Sequence, residues 1–425
     1  MKIVREINVG YISTWPLISA DLNGDGRAEF LLAALDAKFL RAVDSFGAPL
    51  WSVCVSNFCD GQSMPLDAFD FDGDGCAEVF VPDEMGRRLV RLDGKTGRVT
   101  ARSQELPGTG IDGISAPFGF MQYQGIRPKK WNGLGPALYA SAKGGYVLAF
   151  DADLKLLWVR DDLGKDIEHY VFRGDLDNDG KDEVLVSAQD TETLYLIDHD
   201  ETLLKKYHIP TEIGRDSHVD FLVISDIDGD GKTEFVTSTG YDAYNSDGTK
   251  RWTLHDKVKG IGQGQWVQVG SVLPEREGKQ ILFLDAEGGL KPSSLLLVSA
   301  QGELLWRFGE FRTTVYGAGF IDRQGTGNYE IYACEQGRRD YLLGMDNVYW
   351  DKNRQMTGAP VTFDVVILSP HGEERERLSF VDHGGPGAYE GLWGGTFAQT
   401  VADIDGNGRQ SLVISTFDGR LLILQ

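Results

Sequence analysis

One motif recurs along this chain at nearly constant spacing, and it constrains the fold more than any other feature. DLNGDGRAEFLLA begins at Asp21, DFDGDGCAEVFVP at Asp70, DLDNDGKDEVLVS at Asp175 and DIDGDGKTEFVTS at Asp226. DRQGTGNYEIYAC at Asp322 and DIDGNGRQSLVIS at Asp403 are eroded copies. PALYASA at 136–142 and KQILFLD at 279–285 hold the same place without an acidic loop. The apolar strand after the loop starts near residues 29, 78, 137, 183, 234, 280, 330 and 411. Units of this length cannot bury an apolar face alone and must stack on their neighbours.

A second signature follows each strand: an apolar run, a turn, and a further strand that often carries Trp, as at Trp51, Trp158, Trp252 and Trp306. Those tryptophans are expected between neighbouring repeats. Each repeat reads as strand A, acidic loop, strand B, strand C, tight turn and strand D, with short β-branched or aromatic runs bounded by Gly, Asp and Asn. Four antiparallel strands per repeat make a propeller blade. The eighth repeat ends at its third strand, RLLILQ (420–425), while a spare strand, KIVREIN (2–8), precedes the first repeat. If the spare strand completes the last blade, the ring closes. The expectation is an all-β, eight-bladed β-propeller occupying 1–425 as a single domain, with seven blades as the alternative. The interval of 81 residues before the last strand B marks an insertion, read as long rim loops at 336–360 and 381–397.

The formal charge of −22 disfavours nucleic acid and anionic lipid as partners. No apolar run is long enough to span a bilayer. The N-terminus lacks the pattern of a signal peptide. The expected location is therefore secreted or periplasmic if Met1 begins a mature form, and otherwise cytoplasmic. Cys54 and Cys59 are close enough to pair in an oxidising compartment; Cys76 and Cys334 are expected as buried thiols. Oligomeric state stays open.

The acidic loops place oxygen ligands at positions 1, 3, 5 and 9, with Gly at position 6. These are Asp21, Asn23, Asp25 and Glu29; Asp70, Asp72, Asp74 and Glu78; Asp175, Asp177, Asp179 and Glu183; Asp226, Asp228, Asp230 and Glu234. Alternate oxygens on a tight turn suit Ca2+, which accepts several carboxylates in flexible geometry. Asp, Asn and Gly also make good turns without an ion, but fixed spacing with a terminal Glu points to several structural Ca2+ ions. Repeat seven has Gln324 and Thr326 in place of inner carboxylates, and repeat eight has Ser411 at position nine.

The DxDGDGxxE loop with its apolar strand resembles the FG-GAP repeat, the calcium-binding blade unit of integrin α-subunit heads and many bacterial extracellular proteins. A narrower resemblance is to propeller polysaccharide lyases of the rhamnogalacturonan lyase and rhamnose–glucuronate lyase type, carried by GIGQGQWVQVGSVLPEREGKQILFLD at 260–285. Gln263 and Gln265 stand where a more basic run is expected in those enzymes. The resemblance implies β-elimination on an acidic, uronate-containing glycan. The rivals are a non-catalytic glycan- or protein-binding propeller and a glycoside hydrolase.

Chemistry is expected on the rim opposite the acidic loops, where each strand A begins. Aromatic faces stack on sugars, and Arg binds a uronate carboxylate bidentately. A lyase needs a base, a carboxylate neutraliser and a proton donor. His169 or His218 is the candidate base, Tyr316 the acid and Arg312 the neutraliser. Trp15, Gln265, Arg338, Arg339, Tyr389 and Trp393 are candidate substrate contacts.

Overall fold

The computed structural model describes residues 1–10, 13–34, 39–55, 66–108, 110–115, 133–208, 219, 221–262, 264–285, 293–311, 315–335, 361–382, 399–416 and 418–425. They form eight antiparallel four-stranded sheets, the blades of a closed propeller. In blade one, Ser13–Ala20, Glu29–Ala34, Phe39–Val43 and Pro49–Cys54 pair in chain order, and blades two to seven repeat this. The second strands begin at Glu29, Glu78, Leu138, Glu183, Glu234, Gln280, Glu330 and Ser411, as the repeat spacing predicts.

Blade eight joins the chain ends. Gln399–Ala402, Ser411–Ser415 and Arg420–Leu424 take Ile3–Asn8 as their outer strand. Ile3 faces Leu424 and Asn8 faces Arg420. Lys2 and Gln425 exchange backbone hydrogen bonds of 2.8 and 3.1 Å.

The first strand of each blade lines the axis. Ser13–Ala20 contacts both Asp67–Phe69 and Gln399–Ala402, and Ile167–Gly174 contacts Ile111–Ser115 and Leu222–Ser225. Middle strands such as Glu183–Ala188, Gln280–Asp285 and Ser294–Val298 are buried at every position by the blades on both sides. That is why they read as unbroken apolar runs. Outer strands alternate: in Leu203–His208, Lys206 is exposed and Tyr207 buried. Charge on these edges discourages pairing with another molecule.

Neighbouring blades are latched by the expected tryptophans. The indole N–H of Trp51 donates to the Gly94 carbonyl at 2.6 Å, Trp158 to His199 at 2.9 Å, Trp252 to Ala300 at 2.9 Å and Trp306 to Pro370 at 2.8 Å. Each acceptor lies between the third and fourth strands of the next blade. Gly97, Gly302 and Gly372 lie under three of these rings, where a Cβ would come within 2.7, 2.6 and 2.7 Å of the indole. The carbonyl satisfies the indole N–H, and the glycine lets the backbone cover the ring face.

Cys334 is buried as expected, but Cys76 is only half-buried. It sits in the acidic loop ahead of Glu78–Pro82 rather than inside that strand. Cys54 is exposed, and Cys59 lies outside the described residues. Among the described residues no helix is long and apolar enough to cross a membrane.

Candidate metal centre and the opposite rim

All the acidic loops lie at the end of the ring where first strands pass into second strands. Each folds around its position-one aspartate. Asp21 accepts from the amides of Gly24 at 2.7 Å and Gly26 at 2.8 Å. Asp70 does the same with Gly73 and Gly75, and Asp226 with Gly229 and Gly231. The position-nine glutamate reaches back to the position-two amide: Glu29 to Leu22 at 2.8 Å, Glu78 to Phe71 at 2.7 Å, Glu183 to Leu176 at 2.6 Å and Glu234 to Ile227 at 3.0 Å. Glycines at positions such as Gly26 and Gly75 have φ of +81° and +92°, the left-handed region needed to turn the chain inward.

The loops are also joined to one another, which the motif does not reveal. The Ala77 amide donates to the Asp21 carbonyl at 2.7 Å, Ala28 to Asp403 at 3.0 Å and Gln410 to Asp322 at 2.9 Å. Position eight of one loop thus binds position one of the preceding blade's loop. Whatever stiffens one loop stiffens an inter-blade seam.

Carboxylates converge in three of these loops. Ligand oxygens lie within 4.8 Å of one another in Asp70, Asp72 and Glu78, in Asp175, Asp177 and Glu183, and in Asp226, Asp228 and Asp230. Blade four fits a hard cation best. Glu183 is completely buried, and its Oε1 and the Asp175 Oδ1 have no hydrogen-bond partner. A buried unsatisfied carboxylate oxygen is costly unless a cation meets it. Burial pushes the Glu183 carboxyl up to about 8, and those of Glu29 and Glu78 up to about 7. Glu183 also clusters with Asp198 and His199, a grouping that sequence spacing missed.

Blade five differs. The Arg251 guanidinium pairs with Asp228 and, at 2.7 Å, with Glu234 Oε1. The hydrogen bond from Arg251 holds Asp228 below the usual carboxylate range. In blade seven, Arg323 meets Glu330 at 2.7 Å and Arg375 meets it at 3.3 Å. The sequence signal was available for Arg251: it precedes Trp252, where Leu50, Leu157 and Leu305 precede the other latch tryptophans.

On the opposite rim, five first strands break register near their start among the described residues. The shifts fall between Ser13 and Leu17, Ile111 and Gly113, Ile167 and Val171, Gly264 and Trp266, and Val315 and Gly317. Trp15, His169, Gln265 and Tyr316 therefore sit on these irregularities, although their side chains lie outside the described residues. Such bulges re-aim side chains and occur next to functional sites. Arg312, His218, Arg338, Arg339, Tyr389 and Trp393 lie outside the described residues, as do 336–360 and 383–397 of the rim loops.

Residues 175–237 match the FG-GAP-like repeat family. The rhamnogalacturonan exolyase YesX of Bacillus subtilis (strain 168) is 37% identical over 86 residues, a stretch covering 20% of this chain and only 13% of that protein. Among solved structures, the V. cholerae biofilm matrix protein Bap1 has a TM-score of 0.57 at 13% identity, covering 97% of this chain and 88% of that one. BamB from Moraxella catarrhalis has a TM-score of 0.52 at 12% identity, covering 99% and 98%. The chain is thus an eight-bladed propeller with FG-GAP-like sequence, distantly related to rhamnogalacturonan-lyase-like and other propeller proteins.

Proposed function

We propose that this chain is a calcium-stapled propeller that binds an acidic glycan on the rim opposite its acidic loops. The observation that carries the reading is the register shift shared by five first strands at that rim, with Trp15, His169, Gln265 and Tyr316 on four of them. Aromatic and hydrogen-bonding residue types spaced around the starts of the first strands suit a sugar chain lying across the channel mouth. Ca2+ held at the other end stiffens the inter-blade seams and leaves this rim free. Binding to immobilised uronate polysaccharides, compared with neutral ones, tests it. Trp15→Ala and His169→Ala should each weaken acidic-glycan binding about tenfold, roughly 1.4 kcal/mol. Equal retention of neutral and acidic glycans, or unchanged binding by both variants, removes the reading.

The local likeness to a rhamnogalacturonan exolyase supports a second reading, β-elimination on the same glycan. In it His169 or His218 removes the proton α to the uronate carboxylate. Arg312 neutralises that carboxylate as enolate charge develops, and Tyr316 protonates the departing oxygen. The product is an unsaturated uronate with its own ultraviolet absorbance. Binding without that absorbance leaves the binding module and removes the lyase.

A further inference from the structure

The outer strand of each of the eight blades carries one unpaired residue at a bulge against the third strand. It is Leu50 in blade one, Thr100 in two, Leu157 in three, Leu204 in four, Arg251 in five, Leu305 in six, Arg375 in seven and Val4 in eight. In blades five and seven, the two with arginine there, that arginine pairs with the same blade's position-nine glutamate: Arg251 with Glu234 and Arg375 with Glu330. Among the described residues, Glu29, Glu78 and Glu183 of blades one, two and four make no ion pair with Arg or Lys, and Glu183 keeps a buried oxygen without a partner. In blades two and four the glutamate belongs to the carboxylate cluster; in blade five it does not, and the cluster is the three aspartates alone.

We infer that this bulge residue selects, blade by blade, whether the acidic loop takes a divalent cation or is neutralised from within. The blade-five loop has the full motif, yet Arg251 pairs with both its position-three aspartate and its position-nine glutamate. A guanidinium is fixed in place by the chain and carries one positive charge; Ca2+ carries two and needs six to eight oxygens. In blade five a divalent cation has to compete with Arg251 for both Asp228 and Glu234. Blade five is therefore the strong-looking loop that holds no tight Ca2+, and blades one, two and four are the calcium loops.

This rests on the calcium reading above, and the experiment separates the two. The full chain is stripped with chelator, dialysed against Ca2+ and assayed for bound metal. The wild type should bind three ions, Arg251→Leu four and Leu204→Arg two. Leucine occupies the bulge in four blades, so Arg251→Leu preserves the fold, and Leu204 is 45% exposed, leaving room for the reverse change. Four ions in the wild type with no gain in Arg251→Leu overturns the selector and leaves calcium binding intact. No ion in any of the three proteins removes calcium and the selector together.

Discussion

Blades four and five carry nearly the same loop, DLDNDGKDE and DIDGDGKTE, and handle its charge in different ways. In blade four the glutamate is sealed beneath the loop with one oxygen unmatched, and Asp198 and His199 lie close by. In blade five an arginine from the outer strand reaches the equivalent glutamate and the position-three aspartate. Local sequence sets the shape of the turn, and a residue two strands away sets what balances it. An acidic loop is therefore best read together with the outer strand of its own blade.

Removing calcium should break the comparison most visibly. A site at a hundredfold excess over its Kd contributes about 2.7 kcal/mol, so emptying three sites costs roughly 8 kcal/mol. Chelation should lower the melting temperature strongly and reversibly. A chelated protein that melts with the loaded one would remove the staples.

The same substitution in the two loops should then separate them. Glu183→Gln should cost one bound ion and about 2.7 kcal/mol of calcium-dependent stabilisation. Glu234→Gln should leave the calcium increment unchanged, because that loop does not rely on the ion. Parallel melts with and without Ca2+ read the difference.

The pH response sharpens it further. Folding raises Glu183 from 4.5 to about 8, and Glu29 and Glu78 from 4.5 to about 7. In each case burial is the leading cause. Their raised values favour the folded state fully below about pH 4.5 and lose that contribution as pH climbs to 7 or 8. The chelated protein should lose thermal stability across that window. Ca2+ takes the ionised carboxylates, so its affinity should rise over the same range. Melting curves of loaded and chelated protein should diverge with rising pH.

The smallest expected effect is Asp228→Asn. It removes a partly exposed partner of Arg251 and should cost about 1 kcal/mol, with no change in bound metal. Loss of an ion in this variant would place Ca2+ in blade five.

Much of this molecule was legible in advance. The repeat located the second strands, the spare strand at 2–8 found its place beside 420–424, and the tryptophans fell between blades. These features are periodic, and a closed ring turns periodicity into position. Of the proposed rim residues, Trp15, His169, Gln265 and Tyr316 lie on backbone where first strands break register. The shifts themselves were not legible in the sequence, since a bulge depends on the partner strand's register and leaves little mark on composition.

The chain's own order of residues was enough to specify the blade unit, its strand order, the strand that closes the ring and the loops able to turn around a cation, because each depends on neighbours in sequence or on a repeat; the choice of eight blades over seven came from the eight sheets themselves. Folding had to bring Arg251 to Glu234, the Ala77 amide to the Asp21 carbonyl and Gly97 under Trp51. Those contacts join residues 17 to 56 positions apart across strands or blades. Charge balance in a buried loop is settled by whichever cation reaches it, and distance along the chain says nothing of which one does.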